Sequence, residues 1–183
     1  MPHIALDNDL PGISGLMAHR PDTAAPLGDL ANALLRAPSS LSPGERELIA
    51  AYVSQLNSTE FCSASHGAFA AAQLPGGQGL VEAVLADPAT APVDGRLRAL
   101  LAVAAEVQNA ARPVSDEAVA AARAEGADDT ALHDTVLIAA AFCMYNRYVS
   151  GLATELPKDG EYYEHAARRI VADGYRGASA QTD

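Results

Sequence analysis

The chain has 183 residues, of which 49% are hydrophobic, and a formal net charge of -11 from 12 basic and 23 acidic side chains. This length and composition are typical of one globular domain, and the negative charge argues against binding to nucleic acid or to an anionic membrane surface. No apolar run reaches the roughly 18 residues of a membrane span, and two cysteines without a pairing framework or a leader pattern favour a reducing cytoplasm.

Helical periodicity covers most of the chain, and almost no segment alternates as a strand does. We predict an irregular N-terminal arm over residues 1–21 and a frayed polar tail over residues 174–183. Between the arm and the tail, proline and glycine residues separate one periodic segment from the next. The predicted fold is one all-α domain over residues 1–183, a bundle of about eight helices. Those helices are expected near 23–36, 43–57, 59–74, 78–86, 93–111, 115–125, 129–150 and 160–173.

Two helix starts are marked by the sequence. Ser42, followed by Pro43 and by Glu45 three residues after the serine, predicts a capped helix with proline at its first position. Asn57 with Glu60 predicts a second cap, for which Ser58 or Thr59 are alternatives. In each case Cys62 falls in or next to the first turn, where the positive end of the helix dipole favours a thiolate.

Cys62, His66 and Glu47 are the candidate catalytic residues. Cys62 and His66 are four residues apart and so share one helix face, where an imidazole can take the proton of a thiol. If residues 43–57 and 59–74 fold back antiparallel, the rise of about 1.5 Å per residue brings Glu47 closest in height to His66. The order of a proton relay is then Glu47, His66, Cys62.

Each of these residues also has a simpler interpretation. A cysteine on an alanine-rich helix is often a small buried hydrophobe, His66 can be a hydrogen-bonded core histidine, and Glu47 can be a solvated helix charge. The second cysteine, Cys143, lies in an apolar run and is expected to be buried and inert.

No metal site and no cofactor site are predicted. Glu47, Cys62 and His66 together lack the fourth ligand of a structural zinc site. The sequence has no glycine-rich phosphate loop, no Gly-x-Ser-x-Gly motif and no dinucleotide fingerprint. Residues 97–107 and 135–144 are apolar nearly all round, which indicates helices at the centre of the bundle or at a contact with another subunit. We therefore expect a homo-oligomer.

The motif around Cys62 resembles the AhpD-like alkylhydroperoxidase and carboxymuconolactone decarboxylase superfamily, especially its peroxidase-related branch. That family has a glutamate, then Cys-x-x-Cys, then three residues and a histidine. The resemblance covers roughly residues 10–155 and implies an oligomeric helical bundle that reduces a hydroperoxide or a partner peroxiredoxin through a dithiol. It is carried by residues 45–50, 56–57, 61–67, 96–101, 112–114, 125–129 and 145–147.

One position departs from the family pattern. Thr59 stands where the family has the first cysteine, so the motif reads Thr-Glu-Phe-Cys. A threonine cannot form the disulfide of the dithiol cycle. The family roles therefore transfer to Glu47, Cys62 and His66 but not to Thr59, which together with Ser65 is expected only to neighbour the site.

Three functions follow as hypotheses. The first is a thiol peroxidase in which Cys62 attacks a small-molecule hydroperoxide and an external thiol reduces the resulting sulfenic acid. The second is a lyase or isomerase of the carboxymuconolactone decarboxylase type, in which His66 and Glu47 act on a lactone acid. The third is a non-enzymatic oligomeric protein that retains the remnant of a site.

Overall fold

The structure, a computed structural model, describes residues 1–159 and 161–175. This part of the chain contains nine α-helices. No strand occurs in this part of the chain, so the prediction of an all-α fold is confirmed. The helices are α1 (Gly12–His19), α2 (Pro21–Arg36), α3 (Pro43–Leu56), α4 (Glu60–Ala71), α5 (Gly77–Ala86), α6 (Gly95–Asn109), α7 (Asp116–Ala124), α8 (Asp129–Gly151) and α9 (Tyr162–Asp173).

The N-terminal arm contains a helix that the sequence did not reveal. Residues 12–19 form α1, which packs against α2 and α8. The prediction of an irregular segment over residues 1–21 was therefore wrong for this stretch. Eight residues with two glycines give too short a periodic pattern to identify. Gly12 is required here, because its φ is +54° and an added Cβ would collide with the ring of Phe61.

Helix α3 is the centre of the bundle. Every residue from Arg46 to Ser54 is buried, and α2, α4, α5, α6 and α8 all contact this helix. Its start is the one predicted, because Ser42 and Glu45 form a complete capping box and Pro43 takes the first position. Residues 97–107 and 135–144, expected at the centre or at a contact with another subunit, leave part of their surface exposed, so the central position belongs to α3.

Helices α3 and α4 form a tight hairpin with an extensive contact. Ser58 turns the chain with a φ of +53°, and Thr59 is the N-cap of α4 without a side-chain capping bond. The predicted cap by Asn57 was wrong. Its amide instead donates to Asn146 Oδ1 at 2.9 Å and accepts from Gln108 Nε2 at 3.0 Å.

The C-terminal helix α9 packs on α4, and the chain then returns towards the bundle. Gly174 ends α9 with a φ of +72°, and an added Cβ would lie 2.6 Å from Asn32 Oδ1. The backbone N–H of Tyr175 donates to the same oxygen at 3.2 Å. The predicted frayed tail is therefore wrong for residues 174–175, whereas residues 176–183 lie outside the described part.

Candidate active site

Glu47 and His66 form a close hydrogen-bonded pair between α3 and α4. His66 Nδ1 lies 2.6 Å from Glu47 Oε2, and the Glu47 side chain is completely buried. This is the contact that the antiparallel arrangement of the two helices predicts. The alternative of a solvated helix charge at Glu47 was wrong.

Tyr175 occupies the other oxygen of the same carboxylate. Its hydroxyl donates to Glu47 Oε1 at 2.7 Å and lies 3.4 Å from His66 Nδ1. Burial and then the charge of Glu47 raise the pKa of Tyr175 well above its ordinary 10.0, so the phenol remains a donor. Sequence reasoning missed this residue, which it had assigned to the tail.

The hydrogen bonds of Glu47 define the tautomer of the neutral imidazole. A carboxylate only accepts hydrogen bonds, so we assign the proton of neutral His66 to Nδ1, which donates to Oε2. Nε2 has no hydrogen-bond partner among the described residues. The nitrogen free to accept a proton is therefore Nε2, as in relays where a carboxylate orients a histidine base.

Aromatic side chains surround the imidazole of His66. The ring of Phe142 meets it edge-on at a centroid distance of 4.5 Å, Phe69 does so at 5.2 Å, and Tyr175 stacks on it at 6.2 Å. The His66 side chain is only 12% exposed. This packing fixes the plane of the ring and excludes most solvent from it, which strengthens its interaction with Glu47.

Cys62 is the third residue of α4 and lies one turn before His66. It is 3% exposed and packs with Phe61 and Val149 in a small apolar cluster. Cys62 and His66 line the same cavity, but the hydrogen bonds of His66 go to Glu47 and Tyr175 rather than to the sulfur. The structure thus brings the thiol and the base to one site without an ion pair between them.

Burial dominates the protonation of the Cys62 thiol. Desolvation raises its pKa from the ordinary 9.0 to about 11, and a hydrogen bond from the side chain of Asn146 only partly opposes the rise. The helix N-terminus favours the thiolate by roughly 0.3–1 kcal/mol, which is less than one pKa unit. At neutral pH the sulfur is therefore a protonated thiol.

The cavity beside Cys62 and His66, here called the Cys62 cavity, has a volume of about 100 Å³. It is enclosed by α1, α2, α4, α8 and α9 together with Tyr175. A larger cavity of about 470 Å³ lies on the side of α4 that faces α5, and neither Cys62 nor His66 lines it. The aromatic residues of the Cys62 cavity are Phe61, Phe69, Phe142, Tyr145, Tyr162 and Tyr175.

The two expected neighbours of the site lie in different environments. Ser65 is buried and lines the Cys62 cavity. Thr59 is also buried but does not line the cavity, and its hydroxyl lies 3.0 Å from Ser150 Oγ. Thr59 thus connects the start of α4 to the end of α8, a contact that a cysteine at this position would weaken.

Cys143 does not replace the missing thiol. It is half-buried rather than buried, it is unpaired, and its sulfur accepts a hydrogen bond from Asn57 Nδ2 at 3.6 Å. It does not line the Cys62 cavity. Asn57 also binds Asn146, whose amide donates to Ser54 Oγ at 3.0 Å, so Cys143 borders a polar network between α3 and α8.

Within residues 1–159 and 161–175, no group of three or more His, Cys, Asp or Glu side chains is placed to hold a metal ion. The histidines of the later helices have local acidic partners, His133 with Asp134 and His165 with Glu161. None of the helices in these ranges combines the length and the hydropathy needed to cross a membrane.

The chain is similar to known proteins in sequence and in structure. The sequence profile of the carboxymuconolactone decarboxylase family matches residues 21–74, which include α3 and α4. No curated protein matches the chain significantly.

Two crystal structures are similar over most of the chain. An uncharacterized peroxidase-related protein from Silicibacter sp. TM1040 is 30% identical, with a TM-score of 0.74 over 84% of this chain and 78% of that one. An uncharacterized peroxidase-related protein from Ralstonia eutropha JMP134, described as an alkylhydroperoxidase AhpD core, is 26% identical. Its TM-score is 0.74, over 86% of this chain and 82% of that one. The chain therefore belongs to the carboxymuconolactone decarboxylase superfamily, in its AhpD-like, peroxidase-related branch.

Proposed function

We propose that this protein is a thiol peroxidase that reduces hydroperoxides through the single cysteine Cys62. One observation carries the proposal. Cys62 and His66 line one small cavity, and Glu47 holds the imidazole so that Nε2 is the nitrogen free to accept a proton. A thiol, a base and a carboxylate that orients the base are the parts that nucleophilic catalysis by cysteine requires.

The raised pKa of Cys62, about 11, determines how the thiol is activated. A resting thiolate is not available at neutral pH, so the proton must leave as the sulfur attacks. His66 Nε2 is the acceptor, and the imidazolium that forms is stabilised by Glu47 at 2.6 Å. Without this base the reaction would depend on the small thiolate fraction and would rise about tenfold with each pH unit.

The first half of the reaction forms an S–O bond and breaks the O–O bond of the substrate. The electron pair of the Cys62 sulfur attacks the terminal oxygen of ROOH, and the leaving alkoxide takes a proton from the His66 imidazolium. The products are ROH and a Cys62 sulfenic acid. Sulfur is oxidised, the peroxide is reduced, and His66 ends in the neutral form in which it began.

The second half of the reaction needs an external thiol. Thr59 has no sulfur, and Cys143 does not line the Cys62 cavity. One external thiol condenses with the sulfenic acid and releases water, and a second displaces Cys62 from the mixed disulfide. The balance is one hydroperoxide and two thiols giving one alcohol, one external disulfide and one water.

The test is turnover of tert-butyl hydroperoxide with a small dithiol reductant by the purified full chain. We expect consumption of peroxide by the wild type and by Cys143→Ser, and loss of enzymatic consumption in Cys62→Ser. A Cys62→Ser variant as active as the wild type contradicts the proposal. A folded Cys62→Ala protein, together with a wild type that is inactive on every substrate tested, would support the third hypothesis of a non-enzymatic protein.

A second candidate is a lyase or isomerase of the carboxymuconolactone decarboxylase type. The raised pKa of Cys62 favours it, because Glu47, His66 and Tyr175 form an acid–base group that needs no sulfur. Loss of lactone-acid turnover in His66→Ala, with full turnover in Cys62→Ser, would support this candidate and count against the peroxidase. If neither the wild type nor Cys62→Ser turned over a lactone acid, this result would count against the lyase.

A further inference from the structure

The Cys62 cavity has an apolar wall with one positively charged side chain. Its lining consists mainly of aliphatic and aromatic residues from α1, α2, α4, α8 and α9. The cation is Arg169 of α9, which is exposed and also lines the cavity. Arg169 therefore lies where the cavity meets solvent, and its guanidinium is accessible to a ligand.

Arg169 has no ion-pair or hydrogen-bond partner among residues 1–159 and 161–175. Several other arginines of the described part are engaged. Arg36, for example, binds Gln73 and the carbonyl of Val171, and the adjacent Arg168 lies 3.9 Å from Glu164. Among the described residues, Arg169 is thus a guanidinium at the cavity mouth that no carboxylate occupies.

We propose that Arg169 binds a carboxylate on the substrate, so that the preferred substrate class is a small organic hydroperoxide bearing one carboxylate. This deepens the proposed function and rests on it. Arginine is suited to the role, since its planar fork matches a carboxylate and its charge is kept at any physiological pH. The apolar wall would hold the hydrocarbon part of such a molecule.

The volume of the cavity limits the size of the substrate. About 100 Å³ is below the range of roughly 300–1,000 Å³ that is usual for drug-sized ligands. This small volume favours a short carbon skeleton over a long acyl chain. With the carboxylate at Arg169, near solvent, the opposite end of the molecule is directed towards Cys62 and His66.

A binding experiment tests this inference without requiring turnover. The probes are pivalate and pivalamide, which share a tert-butyl group and differ in charge. By calorimetric titration of the full wild-type chain, we expect pivalate to bind about twofold to fivefold more tightly, with the preference falling as salt is added. In Arg169→Gln the preference should disappear.

Arg168→Gln is the matched control, because Arg168 is an exposed neighbour on the same helix that does not line the cavity. It should retain the preference for pivalate. Equal binding of the two probes to the wild type, or the same loss in both variants, overturns the inference. Failure of tert-butyl hydroperoxide turnover would instead count against the proposed peroxidase, so the two failures are distinguishable.

Discussion

At the scale of single residues, the hydroxyl of Tyr175 orients Glu47 through a 2.7 Å hydrogen bond. Tyr175→Phe removes this bond and leaves a ring that can still stack on His66. Hydrogen bonds to charged groups contribute roughly 1.5–3 kcal/mol, so we expect kcat/KM for tert-butyl hydroperoxide to fall about tenfold or more. The measurement is steady-state turnover of both proteins across a range of pH.

The pH profile separates positioning from a general loss of structure. Without the second donor, the Glu47 carboxylate holds the imidazole of His66 less well, so the pH profile of kcat/KM should change in Tyr175→Phe. Tyr148→Phe is the control, because Tyr148 is half-buried on α8 and does not line the cavity. An unchanged rate and profile in Tyr175→Phe would show that its hydroxyl has no positioning role.

The residues of the site differ in how far the sequence predicted them. The contact between Glu47 and His66 followed from helix rise and an antiparallel hairpin, because both helices were marked locally. Tyr175 was not predictable in this way, since it is 109 positions from His66 and follows a helix stop. The burial of Cys62 was one of two open interpretations, and the sequence could not decide between them, because the burial depends on α8 and α1, which are distant in sequence.

At the scale of the element, the proposed peroxidase chemistry makes the start of α4 the place where one thiol or two would be available. Thr59→Cys introduces a thiol three residues before Cys62, at the position where the family has its other cysteine. We expect that one equivalent of tert-butyl hydroperoxide then removes two thiols and leaves a disulfide between residues 59 and 62, at the start of α4. The measurement is thiol titration together with mass spectrometry of the peptide containing residues 59 and 62.

Thr59→Ser is the matched control for this substitution. It keeps a hydroxyl for the contact with Ser150 and introduces no sulfur, so the loss should remain at one thiol. If Thr59→Cys also loses only one thiol, the start of α4 does not bring the two sulfurs together.

The two predicted caps show why helix starts were only partly predictable. Ser42 and Glu45 satisfy each other, so their pattern gives the correct start wherever the helix packs. Asn57 offered the same local pattern, but its amide binds Asn146 and Gln108 on other helices. A distant partner thus replaced the local cap, and the sequence around Asn57 contains no sign of it.

At the scale of the whole molecule, we propose that α8 packs against a second copy of the chain. Its exposed apolar stripe is formed by Val136, Leu137, Ala140 and Met144. In sedimentation velocity we expect the wild type to be an oligomer and Leu137→Lys to dissociate, because the substitution places a charge on the stripe. Leu156→Lys, an exposed leucine outside the helices, should stay oligomeric. A monomeric wild type would contradict this proposal.

Stability at alkaline pH should depend on the Cys62 thiol. Its pKa is raised from 9.0 to about 11 in the folded protein. The contribution of the protonated thiol to the free energy of unfolding is therefore complete below pH 9 and is lost as pH rises towards 11. The loss in the free energy of unfolding is about 3 kcal/mol, from two pKa units at about 1.4 kcal/mol each. Chemical denaturation at pH 8 to 11 should therefore show a shallower decline in Cys62→Ala than in Cys143→Ala. Parallel declines would mean that burial does not raise the pKa of Cys62.

The most direct measurement of the central claim is the site of oxidation by one equivalent of tert-butyl hydroperoxide, with dimedone present to trap sulfenic acid. We predict a dimedone adduct on Cys62 and none on Cys143, with the Cys62 adduct reduced at least tenfold in His66→Ala at the same pH. Peroxide consumed without any adduct on Cys62, or an adduct that forms equally fast in His66→Ala, would contradict peroxidase chemistry through a cysteine activated by His66.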